Sequence, residues 1–334
     1  MSHHAAPDPP WGFDDRAPQR RRWPVVSGGL IAGLVVIALV VVFLVRRDDP
    51  AAGLEPPTAP LVPADGVTAG GELSGQARAL ADALTQRGLE CSVRFTAPEG
   101  GQTGCFAVQD VTGTTVEAIF QHHPDGSVIG LNLKVNGPKY TRGLLRSLID
   151  IAGPVVFPAD HPAVIDIFNR AFAGFPEGSW GDYHLLGHGA KTYLSASKRN
   201  ITPIKVPVLH LDTTEPQLAD ALRADGFTCT GDNETCTGQP AMALKFSGPD
   251  TGITYLVATA TNGATTPETF NQLRIKVFAH LRGNAVGPVF DWVGLHLGGP
   301  SRSAFVAGWR VDLVVSDKQI RLTLFNEETW LVPE

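Results

Sequence analysis

The chain contains one phrase twice. LADALTQRGLEC ends at Cys91 and LADALRADGFTC ends at Cys229, so Leu80, Ala81, Asp82, Ala83, Leu84, Gly88 and Cys91 each have an identical residue 138 positions later. A match of this kind restricts the fold more than composition does, because both copies must suit the same local structure. The parallel continues downstream. FQHHPDGSVIGLNLKVNG from Phe120 corresponds to FSGPDTGITYLVATATNG from Phe246, and GPVVF from Gly153 to GPVF from Gly287. Trp180 and Trp309 each stand at the start of a hairpin pattern. Landmarks in the same order predict a duplicated domain, residues 73–200 and 213–334, with residues 201–212 as a linker. Copies of this length are domains, not the short units of a solenoid.

Each copy has the same expected element order. Leu80 and Leu84, or Leu218 and Leu222, stand four apart on one helix face. Gly88 or Gly226 is placed to end that helix in a left-handed cap. Thr214 and Gln217 have the spacing of a capping box. Strands follow: LECSVRF, CFAVQDV, TVEAIFQ and VIGLNLKV in the first copy, FTC, MALKF and ITYLVATA in the second. Helices come next. Leu144, Leu145, Leu148 and Ile149 line one, and Val164, Ile167, Phe168, Ala171 and Phe172 line another. In the second copy Phe270, Leu273, Val277, Phe278 and Leu281 follow Pro267, a good first-turn residue. A last hairpin alternates Val311, Leu313, Val315 and Ile320, Leu322, Leu324 around Ser316-Asp317-Lys318. The expected fold class is α+β, each copy an antiparallel sheet with helices on one face and a polar opposite face.

The four cysteines fall two to a copy. Four cysteines permit three pairings, and the repeat selects the local one: Cys91 with Cys105, Cys229 with Cys236. Paired Cys-x-x-Cys spacing for zinc is absent.

Ahead of the first copy, Val25 to Val45 is a run of 21 uncharged residues. As a helix it spans roughly 30 Å, the thickness of a bilayer's hydrocarbon core. Arg16, Arg20, Arg21 and Arg22 precede it, while Arg46 and Arg47 follow beside Asp48 and Asp49. That bias predicts a single transmembrane helix with a cytoplasmic N-terminus. Residues 1–24 read as a disordered cytoplasmic tail and residues 46–72 as a Pro-rich stalk. The cysteine-bearing copies then lie outside the membrane, where disulfides persist.

Candidate chemistry is sparse. His184 and His188 have zinc-helix spacing, but Leu185 stands where a metalloprotease has Glu, and flanking glycines favour a hairpin. Asp312 aligns with His184 in the second copy. His122, His123 and Asp125 gather at an expected turn. No nucleophile elbow or phosphate-binding Gly-rich loop is present, and no catalytic, cofactor or metal residue is assigned. Asn200-Ile-Thr and Asn233-Glu-Thr match the glycosylation pattern by chance. The net charge of −6, without a long basic run, gives nucleic acid no surface. The expected partners are the bilayer, through residues 25–45, and a protein or cell-envelope component. The expected role is non-catalytic binding or assembly. The alternative is a tethered enzyme with its site in the cleft between copies.

Overall fold

The computed structural model describes residues 68–109, 113–138, 141–170, 174, 177–188, 190–230, 235–239, 241–261 and 265–326. The expected tail, transmembrane helix and most of the stalk lie outside these residues. Among the described residues no helix is long and apolar enough to cross a membrane.

The fold is α+β with two seven-stranded antiparallel sheets. The first half runs β1 (Thr68–Ala69), α1 (Gly75–Thr85), β2 (Glu90–Ala97), β3 (Gly100–Gln109), β4 (Thr114–His122), β5 (Val128–Asn136), α2 (Thr141–Val156), α3 (His161–Arg170), β6 (Gly181–His188) and β7 (Lys191–Lys198). Its strand order is β1-β2-β3-β4-β5-β7-β6. The second half runs α4 (Glu215–Ala224), β8 (Thr228–Cys229), β9 (Thr235–Gly238), β10 (Met242–Ser247), β11 (Tyr255–Thr261), α5 (Pro267–His280), α6 (Val286–His296), β12 (Arg302–Val306), β13 (Trp309–Val315) and β14 (Gln319–Phe325). Its order is β8-β9-β10-β11-β14-β13-β12. Six strands therefore lie in the same order in both sheets: β2-β3-β4-β5-β7-β6 and β8-β9-β10-β11-β14-β13. The halves differ at their edges. β1 extends the first sheet beside β2, and β12 extends the second beside β13. In β12's place the described residues of the first half make two isolated bridges to β6, Gly174 to Leu185 and Glu177 to Asp182.

Local chemistry explains the shared start. Gly88 and Gly226 have φ of +86° and +87°, where a side chain is strained. Each lets the chain turn back, so that Leu89 N–H donates to Leu84 O and Phe227 N–H donates to Leu222 O. Gln217 Oε1 accepts from the Thr214 amide at 3.0 Å, one arm of the capping box. Thr266 caps α5 by accepting from the Thr269 amide, and Pro267 opens that helix.

The helix-facing sides form two apolar cores. Ala118, Phe120, Leu131, Leu133 and Leu194 pack with Leu80, Leu84, Leu145 and Ile149. Leu244, Phe246, Leu256, Ala258 and Leu322 pack with Leu218, Leu222, Phe270 and Leu273. One sequence landmark does not hold. Gly153 lies in the last turn of α2, whereas Gly287 lies in the first turn of α6, so the two GPV segments occupy different places.

Both disulfides join directly opposed residues of neighbouring strands, Cys91 to Cys105 across β2 and β3, and Cys229 to Cys236 across β8 and β9. The closed loops have sequence separations of 14 and 7. By loop entropy they stabilise by about 3 and about 2.5 kcal/mol. Replacing Cys91 and Cys105 together with Ala should lower urea-unfolding stability by about 3 kcal/mol. An unchanged midpoint would contradict this.

Candidate functional site: the seam between the two halves

Alternation predicts a polar outer face on each sheet. The first sheet departs from this. Phe95, Phe106, Ile119 and Ile129 are buried on the side away from the helices. What covers them is the second half and the connector. Ile204, Val206 and Phe305 complete one apolar cluster with them. Residues 201–212 are thus more than a spacer, since Ile204 and Val206 belong to a core. Gln121 fixes the connector at both polar groups of Ile204, donating to its carbonyl at 2.7 Å and accepting from its amide at 2.8 Å.

Phe305, on the edge strand β12, is the central anchor. Its ring meets Phe106 edge-on, with centroids 5.4 Å apart. Its amide donates to Ser92 Oγ at 2.8 Å. The ring reaches this depth because residue 104 is glycine. A Cβ there would come within 2.5 Å of ring atoms of both Phe106 and Phe305.

Two arginines bridge the halves. Arg94 is fully buried. It donates from Nε to the Gly308 carbonyl at 3.1 Å and from one terminal nitrogen to Gln102 Oε1 at 2.9 Å. The other terminal nitrogen donates to Asn326 Oδ1 at 2.6 Å. Arg310 forms two parallel bonds of 2.9 Å with the Glu117 carboxylate. Its Nε donates to Asp312 at 3.0 Å, and its guanidinium lies 4.4 Å from the Phe106 ring centroid. Lys134 stands 3.7 Å from Glu117. Burial pushes the Glu117 carboxyl up, but the charge and hydrogen bonds of Arg310 outweigh it, so the group stays below its ordinary range. At the rim a groove of about 430 Å³ remains, lined by Glu90, Ser92, Val93, Trp292, Phe305 and Val306 among others.

The sequence candidates do not converge. His184 and His188 both lie on β6. Four residues along a strand separate them by roughly 13 Å, too far for one metal ion. His184 pairs with Ser195 of β7 and Asp312 with Thr323 of β14, so the two lie on corresponding strands of their sheets. The β4–β5 turn sends its three residues apart. His122 is buried, His123 Nδ1 is 3.2 Å from the Glu99 carbonyl, and Asp125 accepts from the Ser127 amide at 2.8 Å. No group of three His, Cys, Asp or Glu among the described residues is placed to hold a metal. Asn200 lies in the turn after β7 with φ of 60°, and Asn233 lies outside the described residues.

One strongly shifted carboxylate was not legible as special. Asp160 accepts from the Ser179 amide and hydroxyl (2.9 and 2.7 Å), the Trp180 amide (2.7 Å) and the Tyr183 hydroxyl (2.8 Å). Burial alone would raise its pKa, but these four donors bring it from 3.8 down to about 2. Burial and the Asp160 carboxylate push the Tyr183 hydroxyl up. The role is structural, tying the start of α3 to the start of β6. Because the folded pKa is depressed, Asp160 contributes its full stability above the unfolded value and loses it as pH falls from about 4 to about 2. Asp160→Asn should therefore cost about 2 kcal/mol at neutral pH. The difference from wild type should fade by about pH 2 in urea titrations. A cost independent of pH would contradict the assignment.

No protein-family model matches the chain, and no curated protein or solved structure is detectably similar to it.

Proposed function

We propose that this chain is a single-pass membrane protein whose C-terminal region, outside the membrane, is a tandem duplication serving as a non-catalytic binding or assembly module of the cell envelope. In this reading residues 25–45 span the bilayer, 1–24 lie in the cytoplasm, 46–72 form a stalk, and the domains are 73–200 and 213–334. The shared order of six strands supports the duplication. The apolar run and the Arg bias support the anchor.

The observation that carries the binding reading is the filling of the seam. Where a tethered enzyme of two domains would hold its cleft, Phe106, Ile119, Ile204 and Phe305 pack together and Arg310 is spent on Glu117. A surface built this way displays a fixed shape to a partner. The alternative, an enzyme working at the remaining rim groove, has Glu90 as its carboxylate there, and that group is paired with Arg302 at 2.9 Å.

Protease added to intact cells should remove the region after Asp48 and spare an N-terminal tag. A protected C-terminus would reverse the orientation or remove the anchor. Replacing His184 and His188 together with Ala should leave cross-linked partner capture intact. Loss of capture in that folded variant, or stoichiometric zinc by elemental analysis, would favour the enzyme.

A further inference from the structure

His122 is almost fully buried, at 5% exposure. Its Nδ1 lies 3.1 Å from the His123 carbonyl oxygen. A carbonyl only accepts, so Nδ1 carries the hydrogen and Nε2 presents a lone pair. That Nε2 is buried and has no hydrogen-bond partner. The ring lies over Gly101, where a Cβ would stand 3.1 Å from Cε1, 3.2 Å from Nε2 and 2.6 Å from the Phe95 carbonyl oxygen. The neighbouring Gly100 makes similar room, since a Cβ there would meet the His122 carbonyl oxygen and Ile204 Cδ1 at 2.0 and 2.6 Å. The preceding residue, Gln121, is the clamp on Ile204. A titratable ring is thus built in behind the strand end that holds the connector in the seam.

We propose that His122 is an acid-sensing latch of the seam. As the medium acidifies, a proton from water adds at Nε2, and the resulting charge has no acceptor waiting in the packed site. The site must open to hydrate it, and the Gln121 clamp on Ile204 loosens with it.

Among the described residues no carboxylate is hydrogen-bonded to the ring. β3 brings Gly100 and Gly101, β2 brings the Phe95 carbonyl, and the connector brings Ile204. The titratable and charged groups of the adjoining turns and strand ends are His123, Asp125, Glu99 and Lys198. Asp125 is exposed and turned to the Ser127 amide, and His123 acts on His122 as a like charge. Burial lowers the His122 pKa against the raising effect of its bond to the His123 carbonyl. Its contribution to stability is therefore present above the unfolded histidine value and lost as pH falls through the folded one.

The test is hydrogen exchange of the full chain in detergent, at about pH 7.5 and about pH 5, corrected for intrinsic rates, in wild type and His122→Gln. Wild type should lose protection over residues 201–206 at the lower pH, and the variant should keep it. Equal protection of wild type at both pH values, or the same loss in the variant, would overturn the proposal. Should the variant fail to fold, nitrogen NMR of the wild-type imidazole decides with the wild-type exchange data. A neutral ring with hydrogen on Nδ1 at the higher pH, charging as the connector loses protection, supports the latch. A ring already charged there, or one that charges while the connector stays protected, overturns it.

Discussion

Arg310→Ala should destabilise the protein by about 3–5 kcal/mol, because it leaves the Glu117 carboxylate buried without its main partner. Both side chains are nearly inaccessible, at 5% and 7% exposure, and Lys134 at 3.7 Å is a weaker and more exposed substitute. The loss belongs to the unpaired charge more than to the pair itself. Arg310→Met combined with Glu117→Leu should therefore recover most of the stability, since apolar replacement of a buried pair is often close to neutral. Urea unfolding of wild type, Arg310→Met, Glu117→Leu and the double variant measures the coupling. A cost below about 1 kcal/mol for Arg310→Ala would mean that water reaches Glu117 and that the seam is open there.

Phe305→Ala should by itself cost about 3–5 kcal/mol. The ring fills the space over Gly104, stacks edge-on with Phe106 and lies 5.3 Å from the Arg94 guanidinium. Its removal leaves a cavity at the centre of the seam instead of inside either helix-covered core. Gly104→Ala attacks the same contact from the other side, pushing both rings outward. Both variants should leave the two disulfide-bonded hairpins protected in hydrogen exchange while exposing amides of β12 and the connector. Loss of protection spread evenly over both sheets would show that Phe305 is not specific to the seam.

Much of the fold was legible because it is local. The Leu80–Leu84 and Leu218–Leu222 pairs, the two capping glycines and the final hairpin each follow from spacing and backbone chemistry. The cysteine pairing followed from the repeat, and the structure makes both bonds. β9 was not legible: Thr235–Gly238 is short, polar and ends in glycine, and it is a strand because β10 pairs with it and Cys236 is tied to Cys229. β12 was missed for a similar reason, since five residues after a Gly-Gly-Pro stretch carry little periodicity. The GPV landmark misled because glycine before proline suits either end of a helix.

The seam was only half legible. TVEAIFQ places Ile119 out of phase with Val116, Ala118 and Phe120, and the connector alternates Ile204 with Val206. Both are signals of a second buried face. No spacing rule links residue 117 to residue 310 or residue 94 to residue 308, because such pairs exist only once two sheets meet. The Asp160 site has the same character, as its donors come from the start of β6 and the turn before it, 19 to 23 residues away.

The seam joins the two halves into one cooperative unit. Calorimetry of the full chain in detergent, with hydrogen exchange followed separately in β4–β5 and β11–β14, tests it most directly. One unfolding transition is predicted, with calorimetric and van't Hoff enthalpies equal and both pairs of strands losing protection together. Two transitions, with one sheet melting while the other stays protected, would contradict it.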